Sequence, residues 1–82
     1  MVTVKLFATL RKAAGEPGFQ SEAGNVAEVL KEAEKRYGDG VKRYLKSCIV
    51  LVNGNNIGYL KGKRTKLKDG DEVSLFPPVA GG

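Results

Sequence analysis

The sequence contains no histidine and a single cysteine, Cys48. Zinc and most transition-metal sites draw on several nitrogen or sulfur ligands, so no metal centre is expected. A Ser-His-Asp or Cys-His catalytic arrangement is excluded because its base is missing. One cysteine cannot close an internal disulfide, which suits a reducing cytosol. Long apolar runs are also absent, none approaching the roughly 18 residues of a membrane span. The alternating start Val2-Thr3-Val4-Lys5-Leu6 lacks the continuous apolar core of a signal peptide. A cytoplasmic chain with no membrane partner is therefore expected. Length is short as well: 82 residues make one domain. Such a chain buries only about 60–65% of its unfolded surface. That leaves a thin core and little room for an enclosed active site, so the chain is not expected to be an enzyme.

Charge is what the sequence has in excess, at a formal +5. Five of the eight residues from Lys61 to Lys68 are basic: Lys61, Lys63, Arg64, Lys66 and Lys68. Such a run can be a nucleic-acid footprint, a surface for an acidic protein partner, or a solvated loop. No aromatic stacking ladder and no Arg-rich recognition helix accompany it, so nucleic acid is not expected as a partner and the solvated loop is the expectation.

Hydropathy patterning gives the elements. Val2 to Ala8 alternates, with Val2, Val4 and Leu6 on one side and Thr3, Lys5 and Phe7 on the other, which predicts a half-buried strand. Leu10 to Gly15 reads as a short helical turn closed by glycine, and Pro17 to Glu22 as a weak second strand with Phe19 inward. Asn25-Val26-Ala27-Glu28 resembles a capping box, with asparagine in the usual serine or threonine place. Val26, Val29, Leu30, Ala33 and Tyr37 then recur at helical spacing up to Gly38, predicting one amphipathic helix laid on a sheet. A looser stretch around Val41, Tyr44 and Leu45 leads to Cys48–Val52, apolar on both faces and so a central strand or one with an exposed apolar patch. Asn53-Gly54 predicts a tight turn. Asn56 to Leu60 predicts a short strand, Lys68-Asp69-Gly70-Asp71 a turn, and Glu72 to Phe76 the last strand, ended by Pro77-Pro78. The order ββαβββ predicts an α+β fold with a mixed sheet.

The ending Pro77-Pro78-Val79-Ala80-Gly81-Gly82 is unusual. Two prolines favour a stiff, extended exit from the last strand. The four residues beyond them reach roughly 13 Å. Two terminal glycines do nothing for stability, since glycine loses the most entropy on ordering. They suit chemistry at the terminal carboxylate, because a tail without side chains threads a narrow channel and leaves its acyl carbon open to nucleophiles. A frayed end is the plain alternative.

Three stretches carry a resemblance: Val4-Lys5-Leu6-Phe7-Ala8-Thr9-Leu10-Arg11, Val52-Asn53-Gly54, and Asp69-Gly70-Asp71-Glu72-Val73 with Phe76-Pro77-Pro78-Val79-Ala80-Gly81-Gly82. Together they resemble the MoaD/ThiS family of ubiquitin-like sulfur carriers over essentially the whole chain, most strongly the small subunits of molybdopterin synthases. The resemblance implies a β-grasp domain over residues 1–77 and a flexible Gly-Gly tail over residues 78–82. It further implies that Gly82 is the reactive terminus, with no cofactor bound. An E1-like adenylating enzyme would use ATP to form an acyl-adenylate at Gly82, and sulfur would displace AMP to leave a thiocarboxylate. With Gly82 last, no processing protease is expected. The implied acceptor is a molybdopterin synthase large subunit, in molybdenum or tungsten cofactor synthesis. Carriers for thiamine or cysteine synthesis, and archaeal-type modifiers forming isopeptide bonds through Gly82, are the alternatives. The long basic segment Gly54 to Lys68 departs from the molybdopterin-synthase pattern and resembles the broader archaeal and bacterial carrier group.

Strand phase adds a docking face. If Val4, Leu6, Val73 and Leu75 face the helix, Phe7 and Phe76 face outward. Setting Val50 and Val52 inward puts Ile49 and Leu51 outward beside Phe76. Phe7, Leu51 and Phe76 are the expected partner-binding patch, with Val79, Ala80, Gly81 and Gly82 entering the partner. Cys48 is expected to be structural and not a sulfur relay. Asp69, Asp71 and Glu72 read as a turn and not as a cation site.

Overall fold

The computed structural model describes residues 1–78. Five strands form one mixed sheet: β1 (Val2–Leu6), β2 (Gly18–Ser21), β3 (Ile49–Val52), β4 (Asn55–Asn56) and β5 (Glu72–Phe76). Their order across the sheet is β2-β1-β5-β3-β4. The first and last strands run side by side in parallel at its centre, Val4 opposite Val73 and Leu6 opposite Leu75. This is the β-grasp arrangement. Alternation decides which face is covered: Val2, Val4, Leu6, Val50, Val52, Val73 and Leu75 are buried on one side, while Thr3, Ser74 and Phe76 are half-buried on the other.

Helix α2 (Val26–Tyr37) covers the apolar face with Val26, Val29, Leu30 and Ala33. It starts where predicted. The Asn25 side chain accepts from the Glu28 N–H at 2.9 Å, a cap worth about 1 kcal/mol. Glu28 reaches back to the N–H of Gly24 at 2.8 Å, one residue earlier than in a standard capping box. The predicted turn at Leu10 is a seven-residue helix, α1 (Ala8–Ala14), closed by Gly15 and anchored by buried Leu10. Phe19 points inward from β2 and meets the Tyr37 ring edge-on at 5.9 Å.

Two expectations are corrected. The stretch around Val41, Tyr44 and Leu45 is not loose but a helix, α3 (Asp39–Leu45), which buries Val41 and Leu45. The twelve-residue α2 remains the main helix, and the seven-residue α3 packs against α2 and α1. The strand expected over Asn56 to Leu60 ends after Asn56. There the Asn56 side chain accepts from the Gly58 N–H at 2.8 Å and draws the chain into a 3-10 turn, Ile57–Tyr59. The Asn53-Gly54 hairpin forms as expected, with both residues at positive φ. The basic run is pinned at its middle. A second 3-10 turn spans Gly62–Arg64, and buried Thr65 donates to the Gly62 carbonyl at 2.6 Å and accepts from the Lys61 N–H at 3.1 Å. The Thr65 carbonyl in turn accepts from the Val26 N–H at 3.1 Å.

Candidate functional site

The outer face of the sheet is built by the two central strands. Phe7 follows β1 directly and continues its ladder, donating its N–H to the Leu75 carbonyl at 3.1 Å. Phe76, the last residue of β5, points outward because Leu75 points in. The two rings stack with centroids 4.4 Å apart and planes 10° off parallel. A stacked aromatic pair contributes about 0.5–1.5 kcal/mol beyond its buried area, which favours this arrangement of the two rings.

Register sets what lies beside it. Ile49 stands opposite Phe76, while Leu51 stands opposite Ser74, one row further along. Lys5 stands opposite Ser74 on the other side and pairs with Glu72 at 3.1 Å, giving the apolar patch a charged border. Phe7, Ile49, Leu51, Phe76, Pro77 and Pro78 are all half-buried. The structure thus brings Phe7 and Phe76 into contact, with Leu51 a row away. Ile49, which the sequence reading puts on the outer face but leaves out of the patch, is nearer to Phe76. Pro78 leads off from this patch. Val79, Ala80, Gly81 and Gly82, the expected tail and reactive terminus, lie outside the described residues.

Cys48 sits half-buried just before β3, its thiol 3.6 Å from the Leu45 carbonyl. Burial pushes its pKa up. Since the thiolate is the nucleophile, the native thiol is a poor relay. Alkylation by iodoacetamide at pH 7.5 should run at least about tenfold slower in the native chain than in urea. Equal rates in the two states would reinstate Cys48 as a reactive group.

Asp71 is occupied as a turn residue. Its carboxylate accepts from the Lys68 N–H at 2.7 Å and from the Asn53 amide at 3.0 Å, and these bonds lower its pKa, the Lys68 one most. Among the described residues no three His, Cys, Asp or Glu side chains gather as a metal site, and no helix is long and apolar enough to cross a membrane.

A stacked aromatic pair thus stands at the end of the last strand of a β-grasp sheet. The family model described as the ThiS family matches residues 4–82, including the terminal glycines. The chain belongs to the ThiS family. Its relatives are small ubiquitin-like carriers and modifiers. Small archaeal modifier protein 3 of Haloferax volcanii is 35% identical, with 96% of each chain covered. The solution structure of small archaeal modifier protein 1 from Methanosarcina acetivorans matches with a TM-score of 0.84 and 40% identity, over 99% of this chain and 95% of that one. A protein–protein complex of subunits 1 and 2 of the molybdopterin-converting factor from Helicobacter pylori matches with a TM-score of 0.71 and 31% identity, over 99% and 97%. This ThiS-family chain therefore resembles modifiers at least as strongly as molybdopterin-converting factors. The last of these likenesses is to a chain assembled with a second protein.

Proposed function

We propose that this chain is a sulfur carrier whose working group is the Gly82 carboxylate, with the Phe7–Phe76 face docking on an E1-like activating enzyme and then on a sulfur acceptor. The observation that carries the reading is the family match running through Gly82. The stacked aromatic pair supports it by marking the strand that leads to the terminus.

The chemistry follows from what a carboxylate lacks. Its carbonyl carbon is a weak electrophile, and oxide is a poor leaving group. A Gly82 oxygen attacks the α-phosphorus of ATP, pyrophosphate leaves, and the carbon is joined to AMP through a mixed anhydride. A persulfide sulfur on the activating machinery attacks that carbon and expels AMP. A thiol cuts the remaining S–S bond, is itself oxidised to a disulfide, and leaves the thiocarboxylate. The carrier supplies the reacting group and the activating enzyme the catalysis. The acceptor on this reading is a molybdopterin synthase large subunit, as the likeness to the Helicobacter pylori complex suggests.

A second reading has its own support in the likeness to the small archaeal modifier proteins. It shares the first half of the cycle. The adenylate is then captured by a lysine amine, giving an isopeptide bond in place of a thioacid. Intact mass after incubation with ATP, the activating enzyme and a persulfide donor separates the two readings. The carrier gains the mass difference between sulfur and oxygen at its terminus. The modifier appears as adducts on lysines, formed with loss of water. A variant ending at Ala80 should show neither; if it is charged like the intact chain, both readings fall.

A further inference from the structure

The basic run acquires company in the folded chain. A groove of about 240 Å³ lies between α2 and α3, on the helical side of the molecule, and is closed at one end by the Gly62–Arg64 turn. Lys31 of α2, Lys42 of α3, Lys46 just after α3 and Lys63 of the turn line it, over Leu30 and Leu45. All four lysines are exposed. A single carboxylate, Glu34, shares the lining and is already paired with Lys42 at 3.6 Å. Lysines from three separate stretches of sequence therefore converge on one furrow with an apolar floor and leave net positive charge around it. The docking of Phe7 and Phe76 does not use this face, since they lie on the opposite side of the sheet.

We infer that this groove binds an acidic peptide segment of a partner protein, with carboxylates meeting the lysines and an apolar side chain seated over Leu30 and Leu45. Size argues for a peptide anchor over a whole small molecule, because the groove is smaller than the roughly 300–1,000 Å³ of ordinary ligand pockets. Donor chemistry argues against a phosphate site, which gathers backbone N–H groups or guanidinium forks around the anion. Here the donors are ammonium groups at the ends of long exposed side chains, suited to a diffuse row of carboxylates. Nucleic acid is disfavoured because no aromatic ring lines the groove to stack a base.

The test uses the full-length, isotopically labelled chain and amide chemical-shift titration. The probe is a short peptide of glutamates punctuated by leucines. The comparison ligands are the same peptide with serines for leucines, inorganic phosphate, and an oligothymidylate. The leucine-bearing peptide should saturate, with shifts centred on Lys31, Leu45, Lys46 and Lys63. The serine peptide should bind at least about tenfold more weakly. Lys46→Glu with Lys63→Glu, exposed positions whose change leaves the core intact, should weaken the leucine peptide by roughly tenfold or more, while the spectrum stays folded. The inference is overturned by equal binding of leucine and serine peptides, by tighter binding of phosphate or oligothymidylate, by shifts centred on Phe7 and Phe76, or by a charge-reversed variant that binds as before.

Discussion

Gly18→Ala should unfold or nearly unfold the chain, with an expected loss of roughly 3–5 kcal/mol. Gly18 opens β2 directly opposite Lys5, at φ +159°, where a built Cβ runs into the Val4 carbonyl. The next nearest atoms, the Val4 carbonyl carbon and the Lys5 Cα at 3.1 and 3.2 Å, are backbone too. None of them can rotate away as a side chain would. Relief requires β2 to peel from β1, which puts at risk the neighbouring Leu6 N–H to Pro17 carbonyl bond of 2.8 Å and the burial of Phe19 and Ser21. At about 0.05–0.15 kcal/mol per residue, a chain of this length holds only some 4–12 kcal/mol in total. Gly15→Ala is the internal control. Gly15 also has positive φ, but no atom lies within 4 Å of its built Cβ, so it should lose only the left-handed backbone cost of about 1–2 kcal/mol. Urea denaturation ranks the two, and equal midpoints would remove the close approach from the explanation.

Phe76→Ala should weaken binding to the activating enzyme by about thirtyfold, the effect of losing a 2 kcal/mol interface anchor. The reason is geometric. Phe76 has Phe7 stacked on one side and Ile49 opposite on the other, so truncation removes the centre of the patch and lets the Phe7 ring turn. Leu51→Asp, one row away on the same face, should weaken the complex as well while sparing the aromatic stack. Calorimetric titration measures both, with circular dichroism to verify the fold. If both variants bind as the unaltered chain does, the outer face is not the docking surface.

Much of this was legible in the sequence because period-2 alternation is a local property. Val2, Val4 and Leu6 against Phe7, and Val73 and Leu75 against Phe76, fixed both faces of the central strands without knowledge of their pairing. Asn25 and Gly38 bracketed α2 by capping chemistry alone. Register was not legible, which is why Leu51, and not Ile49, was assigned to the patch. Alternation puts Ile49 and Leu51 on one side, but only the antiparallel pairing sets Ile49, and not Leu51, against Phe76. Helix α3 was hidden by following directly on the Gly38 stop of α2 and by having only two turns in which to show a period. A helix that short is marginal by itself, and packing of Val41 and Leu45 into the core holds it. β4 was overextended because alternation says nothing about the Asn56 side chain turning back onto Gly58. The groove lysines come from α2, α3, the residue after it and the second 3-10 turn, so no local pattern could have joined them. The terminal glycines lie outside the described residues, and what supports a role for them is the sequence pattern and the family match that reaches them.

Converting the Gly82 carboxylate to a primary amide tests the central claim most directly, because it replaces the anionic nucleophile with a neutral, far less nucleophilic group and leaves both the tail length and the Phe7–Phe76 face unaltered. ATP–pyrophosphate exchange catalysed by the activating enzyme is the readout. The intact chain should drive exchange, and the amidated chain should be silent while competing for the same docking site. Exchange driven equally well by the amidated chain would mean that some other group of this protein is the one activated.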